Sequence, residues 1–213
     1  MSVSELSTST QNYLKAIWGL KEWSSEPVTA TLIAKQLGLK LSSVSDAVRK
    51  MAKQGLVSHT PYGSVELTEL GRQYALVMVR RHRLLESFLV QALGYTWDEV
   101  HNEAENLEHA VSDMLIERVD KFLDYPTRDP HGDPIPTVDG QITIPSAHRL
   151  TDSGAQSQVT VERISDSDPQ LLKFLEERGI VTGAVLSTRE GAPFSDSLEI
   201  QVAGGTQSVS YTH

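Results

Sequence analysis

The sequence predicts a mainly α protein with a small β domain: a winged helix-turn-helix, a helical middle domain and a C-terminal SH3-like β-barrel. Three observations predict it. The first 70 residues read helix, helix, helix, hairpin; an apolar pattern of helical period runs on from Thr68; and beyond a Pro-rich stretch the period shortens to strand-like alternation.

The first helix is read from about Ser9 to Trp23, and the second from about Thr29 to Leu37, where Gly38 closes it. Val44, Ala47, Val48 and Met51 repeat at i, i+3, i+4, i+7 on one face of the third helix, with Ser42 as its N-cap and Gly55 just past its end. Two short strands, in Gly55–His59 and Ser64–Leu67, flank a wing turn at Tyr62-Gly63. From Thr68 to Leu93 one long helix is expected, and Thr96-Trp-Asp-Glu99 is a capping box that starts another, ending before Pro126. Its apolar stripe is Val100, Ala104, Leu107, Val111 and Leu115. Residues 126–148 hold five of the nine prolines, which argues for a linker. After it come alternating runs at Gln158–Ile164, Ala184–Thr188 and Ser197–Val202, with a helix at Pro169–Arg178. The expected domains are therefore 1–70, 71–125, a linker at 126–150, and 151–213.

Composition removes several classes of function. Of 213 residues 39% are hydrophobic and 22% charged, so the chain can build cores. Its longest apolar run, Tyr74 to Val79, is far below the roughly 20 residues of a membrane span, and the first twenty residues lack the pattern of a secretory signal. No membrane partner is expected, and the cytoplasm is the expected compartment. With no cysteine, any metal must use nitrogen and oxygen ligands. The net charge of −9 hides a gradient: residues 1–70 carry seven basic and six acidic side chains, 71–125 six and ten, and 126–213 six and twelve. An acidic body thus bears a basic front, with five basic residues against the single acid Asp46 between Lys35 and Lys53.

That basic run falls on the second helix of a helix-turn-helix, where outward side chains reach DNA grooves. Ser42, Ser43 and Ser45 near the helix start suit phosphate or base contact, and Asp46 suits cytosine N4. Lys40, Arg49, Lys50 and Lys53 supply charge that displaces counterions. Double-stranded DNA is the partner this face fits. Because one such unit reads a half-site, and because the long helices carry more apolar residues than one small core absorbs, a homodimer is expected.

A second constellation lies further on. His82 and Glu86 are spaced i, i+4, and His101, Glu105, Glu108 and His109 are spaced i, i+4, i+7, i+8. On a continuous helix the latter four fit a sector of roughly 100° that borders the core face. Carboxylates gathered at a core boundary repel one another and resist desolvation, whereas a divalent cation neutralises them and takes imidazole as a partner. A bound transition metal is therefore expected.

His82-Arg-Leu-Leu-Glu86, Val100-His-Asn-Glu-Ala-Glu-Asn-Leu-Glu-His109 and Gly132-Asp-Pro-Ile-Pro136 make the chain resemble the DtxR/MntR metal-dependent repressors over nearly its whole length. The resemblance implies the three-domain form, whose middle domain both binds metal and dimerises. It implies two metal sites per chain: a primary one from Asn12, Glu105, Glu108 and His109, and an ancillary one from His82, Glu86 and His101. A third-domain acid would complete the ancillary site; Asp166 is the first candidate, with Glu162 and Asp168 open beside it. Iron-type members resemble this stretch but carry cysteine where Glu105 stands and methionine where Asn12 stands. Harder oxygen donors suit Mn²⁺, with Fe²⁺ as the alternative. The implied function is a manganese-dependent repressor of metal-homeostasis genes, with no enzymatic activity. Two other readings remain at this point: an iron-dependent repressor of the same family, and a metal-dependent enzyme using the His/Glu cluster. No catalytic base is evident for the latter.

Overall fold

A computed structural model of the chain describes residues 3–60, 63–153, 157–191, 197–202 and 208–211. It divides into two compact units: Met1–His82 with Glu108–Val111 and Pro136–Gln141, and Arg83–Leu107 with Ser112–Ile135 and Ile142–His213.

In the first unit, α1 (Thr8–Trp23) starts at Ser7, whose hydroxyl accepts from the Thr10 N–H, and buries Tyr13, Leu14 and Ile17 along one face. Helix α2 (Ala30–Leu37) is capped by Thr29 and stopped by Gly38, whose φ of 63° is the left-handed conformation that glycine adopts without strain. Helix α3 (Leu41–Lys53) buries Val44, Val48 and Met51. Its N-cap is Lys40, with no side-chain cap bond, so the expected cap Ser42 instead lies within the first helical turn. Strands β1 (Val57–His59) and β2 (Val65–Leu67) pair antiparallel, Val57 opposite Leu67. Pro61 and Tyr62 of the expected wing turn lie outside the described residues. The core of this unit joins α1, α2, α3 and both strands through Leu14, Ile17, Ile33, Val44, Val48, Met51, Val57 and Val65. The winged helix-turn-helix is the order seen.

Helix α4 (Glu69–Leu93) begins where the Thr68 hydroxyl accepts from the Gly71 N–H (3.1 Å) and donates to the Gly55 carbonyl (2.7 Å). The next helix departs from expectation. Instead of one element reaching Pro126, there are two: α5 (Trp97–Leu107) and α6 (Asp113–Phe122). Glu99 does reach back to the Thr96 N–H, as a capping box requires. The break follows from competing polar bonds: Arg81 donates to the Glu108 carbonyl (3.4 Å), and the Ser112 hydroxyl caps a new helix by accepting from the Leu115 N–H. Val100 and Ala104 are buried as the stripe predicts, but Leu115, beyond the break, is exposed. Glu108 and His109 therefore sit in a turn and not on the stripe of α5.

The second unit holds α5, α6 and the C-terminal sheet. Strands β3 (Gln158–Thr160), β4 (Val185–Glu190), β5 (Leu198–Val202) and β6 (Ser208–Tyr211) form an antiparallel sheet in that order, covered by α7 (Pro169–Glu176). Strand β6 carries no signal strong enough to have been read from the sequence. Among the described residues the sheet is open, not a closed barrel. Leu172, Leu175, Ile180, Leu186 and Ile200 form its core, against which Trp97 of α5 packs.

The first part of the Pro-rich stretch is packed. Asp129, His131, Asp133 and Ile135 are buried, the Ile164 N–H donates to the His131 carbonyl (2.9 Å), and Arg163 donates to Asp133 (2.5 Å). Gly132 sits at φ 88°, where a Cβ would lie 2.0 Å from the Glu162 carbonyl oxygen. Both the backbone conformation and the space demand glycine. Gly132→Ala should therefore destabilise the protein by more than about 1 kcal/mol, read as a lower thermal midpoint; an unchanged midpoint would show that this segment yields freely.

Candidate metal centres and DNA-binding face

Helix α3 presents Lys40, Ser42, Ser43, Asp46, Arg49, Lys50 and Lys53 as exposed side chains, while its apolar face is spent on the core. Ser45 is half-buried and returns its hydroxyl to the Leu41 carbonyl (2.9 Å). Asp46 and Arg49 pair with each other one turn apart. Surface pairs of this kind are weak enough to open for a base or a phosphate. Lys40, Lys50 and Lys53 carry no acidic partner in any described ion pair.

In the first unit a polar cluster gathers around Glu108, whose side chain has no exposed surface. His82 of α4 brings Nδ1 to 2.6 Å from Glu108 Oε2, and Lys15 of α1 brings its ammonium to 2.7 Å from Oε1. Burial works against ionisation of this carboxyl, yet the His82 hydrogen bond and the Lys15 charge hold it below the usual carboxylate range. His109 lies with Nε2 3.5 Å from Glu108 Oε1 and Nδ1 2.6 Å from Gln11 Oε1. Gln11 donates its amide to the Val3 and Leu6 carbonyls, at 2.9 and 3.1 Å, so its oxygen is left to accept the His109 Nδ1–H. That fixes the tautomer and leaves Nε2 with the lone pair, the arrangement a metal-binding histidine needs. Asn12 Oδ1 is buried without a hydrogen-bond partner.

The second unit has its own cluster. Glu86 of α4 is fully buried, and His101 of α5 lies with Nδ1 3.3 Å from Glu86 Oε1 and 3.1 Å from Asp166 Oδ2. Of the three acids considered for the third domain, Asp166 is the one set against His101. Glu162 pairs with Arg128, and Asp168 caps α7. Glu105 stands one turn along α5, its Oε1 3.9 Å from His101 Nε2.

Two further residues of this unit escaped the sequence reading: Asp129 and His131. Glu86, Asp129 and His131 have ligand atoms all within 4.8 Å of one another, and all three residues are buried. Both ring nitrogens of His131 are buried without a hydrogen-bond partner, and Nδ1 lies 3.9 Å from Glu86 Oε2. Burial, then the charges of Glu86 and Asp133, push the Asp129 carboxyl well up from its usual value. The available signal was Asp-Pro-His-Gly-Asp, three metal-capable side chains within five positions, which its prolines disguised as linker.

These groups fit a divalent cation on observations of this chain. An orphaned amide oxygen, an orphaned buried imidazole and crowded buried carboxylates are costly by themselves and are satisfied together by an ion.

Comparison with known proteins agrees. The sequence family described as iron dependent repressor, N-terminal DNA binding domain, matches residues 5–65; its metal binding and dimerisation domain matches 68–137, and the FeoA domain 148–212. The iron-dependent repressor IdeR of Mycobacterium bovis is 35% identical over 194 residues, covering 85% of this chain and 84% of its own. The diphtheria toxin repressor of Corynebacterium diphtheriae is 36% identical over 137 residues, 64% of this chain and 60% of its own. Among solved structures, a manganese-dependent transcriptional repressor in complex with manganese is 47% identical, with TM-score 0.89 over 95% of this chain and 94% of that one. The manganese regulator SloR is 35% identical, with TM-score 0.79 over 95% of this chain and 93% of that one.

Fold and site together define a metal-dependent DNA-binding protein. The chain belongs to the DtxR family of metal-dependent transcriptional repressors. It is a repressor and not an enzyme, so the catalytic reading of the His/Glu cluster falls away. No helix among the described residues is long and apolar enough to cross a membrane.

The second cluster sets a pH dependence. Although burial opposes it, the hydrogen bonds and charges of Asp166 and Glu86 push His101 up to about 10 from 6.5. A group whose affinity for protons rises on folding stabilises fully below its unfolded value and ceases to as the pH climbs through its folded one. Stability of the metal-free protein should thus fall between pH 6.5 and 10, and Asp166→Asn should flatten that fall. Thermal midpoints that rise across this window in the intact protein would contradict it.

Proposed function

We propose that the chain is a homodimeric, manganese-responsive repressor that holds two ions per chain and binds operator DNA when they are in place. Donor chemistry carries the choice of metal. The candidate ligands are carboxylates, imidazoles and one amide oxygen, with no methionine among them and no cysteine in the chain. The likeness to a repressor described with manganese supports this reading. Iron is the second reading, favoured by the identity to iron-dependent repressors.

For the first ion the proposed ligands within the first unit are Asn12, Glu108 and His109, with His82 beside them. For the second they are Glu86, Asp129 and His131, with His101 and Asp166. A bound ion supplies the positive charge that these buried carboxylates require. Asn12 lies on α1, and α1 packs in one core with Val44, Val48 and Met51 of α3. Fixing donors on α1 therefore restricts the helix that carries the DNA face, which lowers the ordering cost of binding. Homodimerisation is supported by the exposed apolar side chains of α6, Met114 at 67% and Phe122 at 66% exposure.

Footprinting on the organism's own genomic DNA tests this reading. Mn²⁺ should produce protection at discrete sites. Lys50→Ala should lower the salt slope by about 0.9 for one lost phosphate contact. Protection that is the same with and without metal would refute it.

A further inference from the structure

Lys15 of α1 stands beside the proposed ligands of the first ion. Its Nζ lies 2.7 Å from Glu108 Oε1 and 2.8 Å from Oε2, and 3.4 Å from His82 Nδ1. The side chain is 15% exposed and the carboxylate it meets is wholly buried. An ammonium is a compact point charge with three donors, and here it donates to Glu108 Oε2, pairs by charge with Oε1 and approaches an imidazole. Those are acceptors that a divalent ion would also use.

We propose that Lys15 is a built-in counter-cation: its ammonium satisfies Glu108 in the metal-free protein, competes with the incoming ion for that carboxylate, and so sets the metal concentration at which the repressor loads. This rests on the assignment of Glu108 as a ligand. A carboxylate removed from water needs a partner charge, so without an ion the ammonium holds the cluster together. A second cation entering within a few ångströms must push against the ammonium or move it from at least one oxygen, and like charges in a poorly solvated site repel strongly. The same lysine that keeps the metal-free cluster folded therefore weakens the first site. Its place on α1 adds a consequence: exchanging ammonium for metal at Glu108 alters the restraint on the helix that also carries Asn12.

The test is calorimetric Mn²⁺ titration, together with thermal melting, of the intact full chain and of Lys15→Gln, Lys15→Met, Lys15→Arg and Glu108→Gln. Glu108→Gln should delete one binding step. Both neutral Lys15 variants should tighten that step by tenfold or more and leave the other unchanged. They should also lower the melting temperature without metal, whereas Lys15→Arg, which keeps the charge, should bind as weakly as the intact protein. Unchanged or weaker affinity in Lys15→Gln and Lys15→Met overturns the role of Lys15, as does equal tightening in Lys15→Arg. Retention of both steps in Glu108→Gln overturns instead the ligand assignment beneath it.

Discussion

A carboxylate without solvent needs a positive partner, and two such glutamates, Glu86 and Glu108, organise this protein. Around Glu108 the chain brings a lysine from α1, a histidine from α4 and a histidine from the turn after α5. Around Glu86 it brings histidines from α5 and from the Pro-rich segment, with acids near enough to make the local charge unfavourable. Neither cluster is built the way an apolar core is built. Each gathers buried ionisable groups in one place, a pattern that marks candidate ligand sites.

The elements that deliver these groups are ordinary by comparison. Helix α3 is amphipathic, with Val44, Val48 and Met51 inward and its charges outward, so the DNA face costs the core nothing. Helix α1 is less ordinary, because it supports the same core through Leu14 and Ile17 while offering Lys15 to the first cluster. A metal held at this cluster, as proposed, would therefore have a short physical route to the DNA face: one helix with two faces.

Much of this could be read from residues alone. The helix-turn-helix followed from caps and periodicity, with Thr29 and Gly38 bracketing α2 as expected. The His and Glu spacing drew attention to metal, but the single stripe drawn through His101, Glu105, Glu108 and His109 presumed an unbroken helix. Of the bonds that end α5 after Leu107, that from Arg81 to the Glu108 carbonyl links residues 27 positions apart, too far for periodicity to reveal, whereas Ser112, which accepts from the Leu115 N–H, is a local cap whose signal the helical stripe overrode. His131 and Asp129 were hidden for the opposite reason. Local composition spoke clearly for a linker, and only the pairing of the segment with residues 162–164 makes it an ordered, buried strap. Lys15, solvated on any sequence-based reading of an amphipathic helix, acquires its role through a partner 93 positions away.

Both clusters are proposed as metal centres. Anomalous scattering at the manganese edge, from crystals of the full chain grown with Mn²⁺, tests it most directly. Two peaks per chain are predicted, one bonded to Glu108 and His109 Nε2, the other to Glu86 and His131. Saturating Mn²⁺ that gives no peak at either cluster, with Lys15 still bound to Glu108 and the His131 nitrogens still unligated, would contradict it.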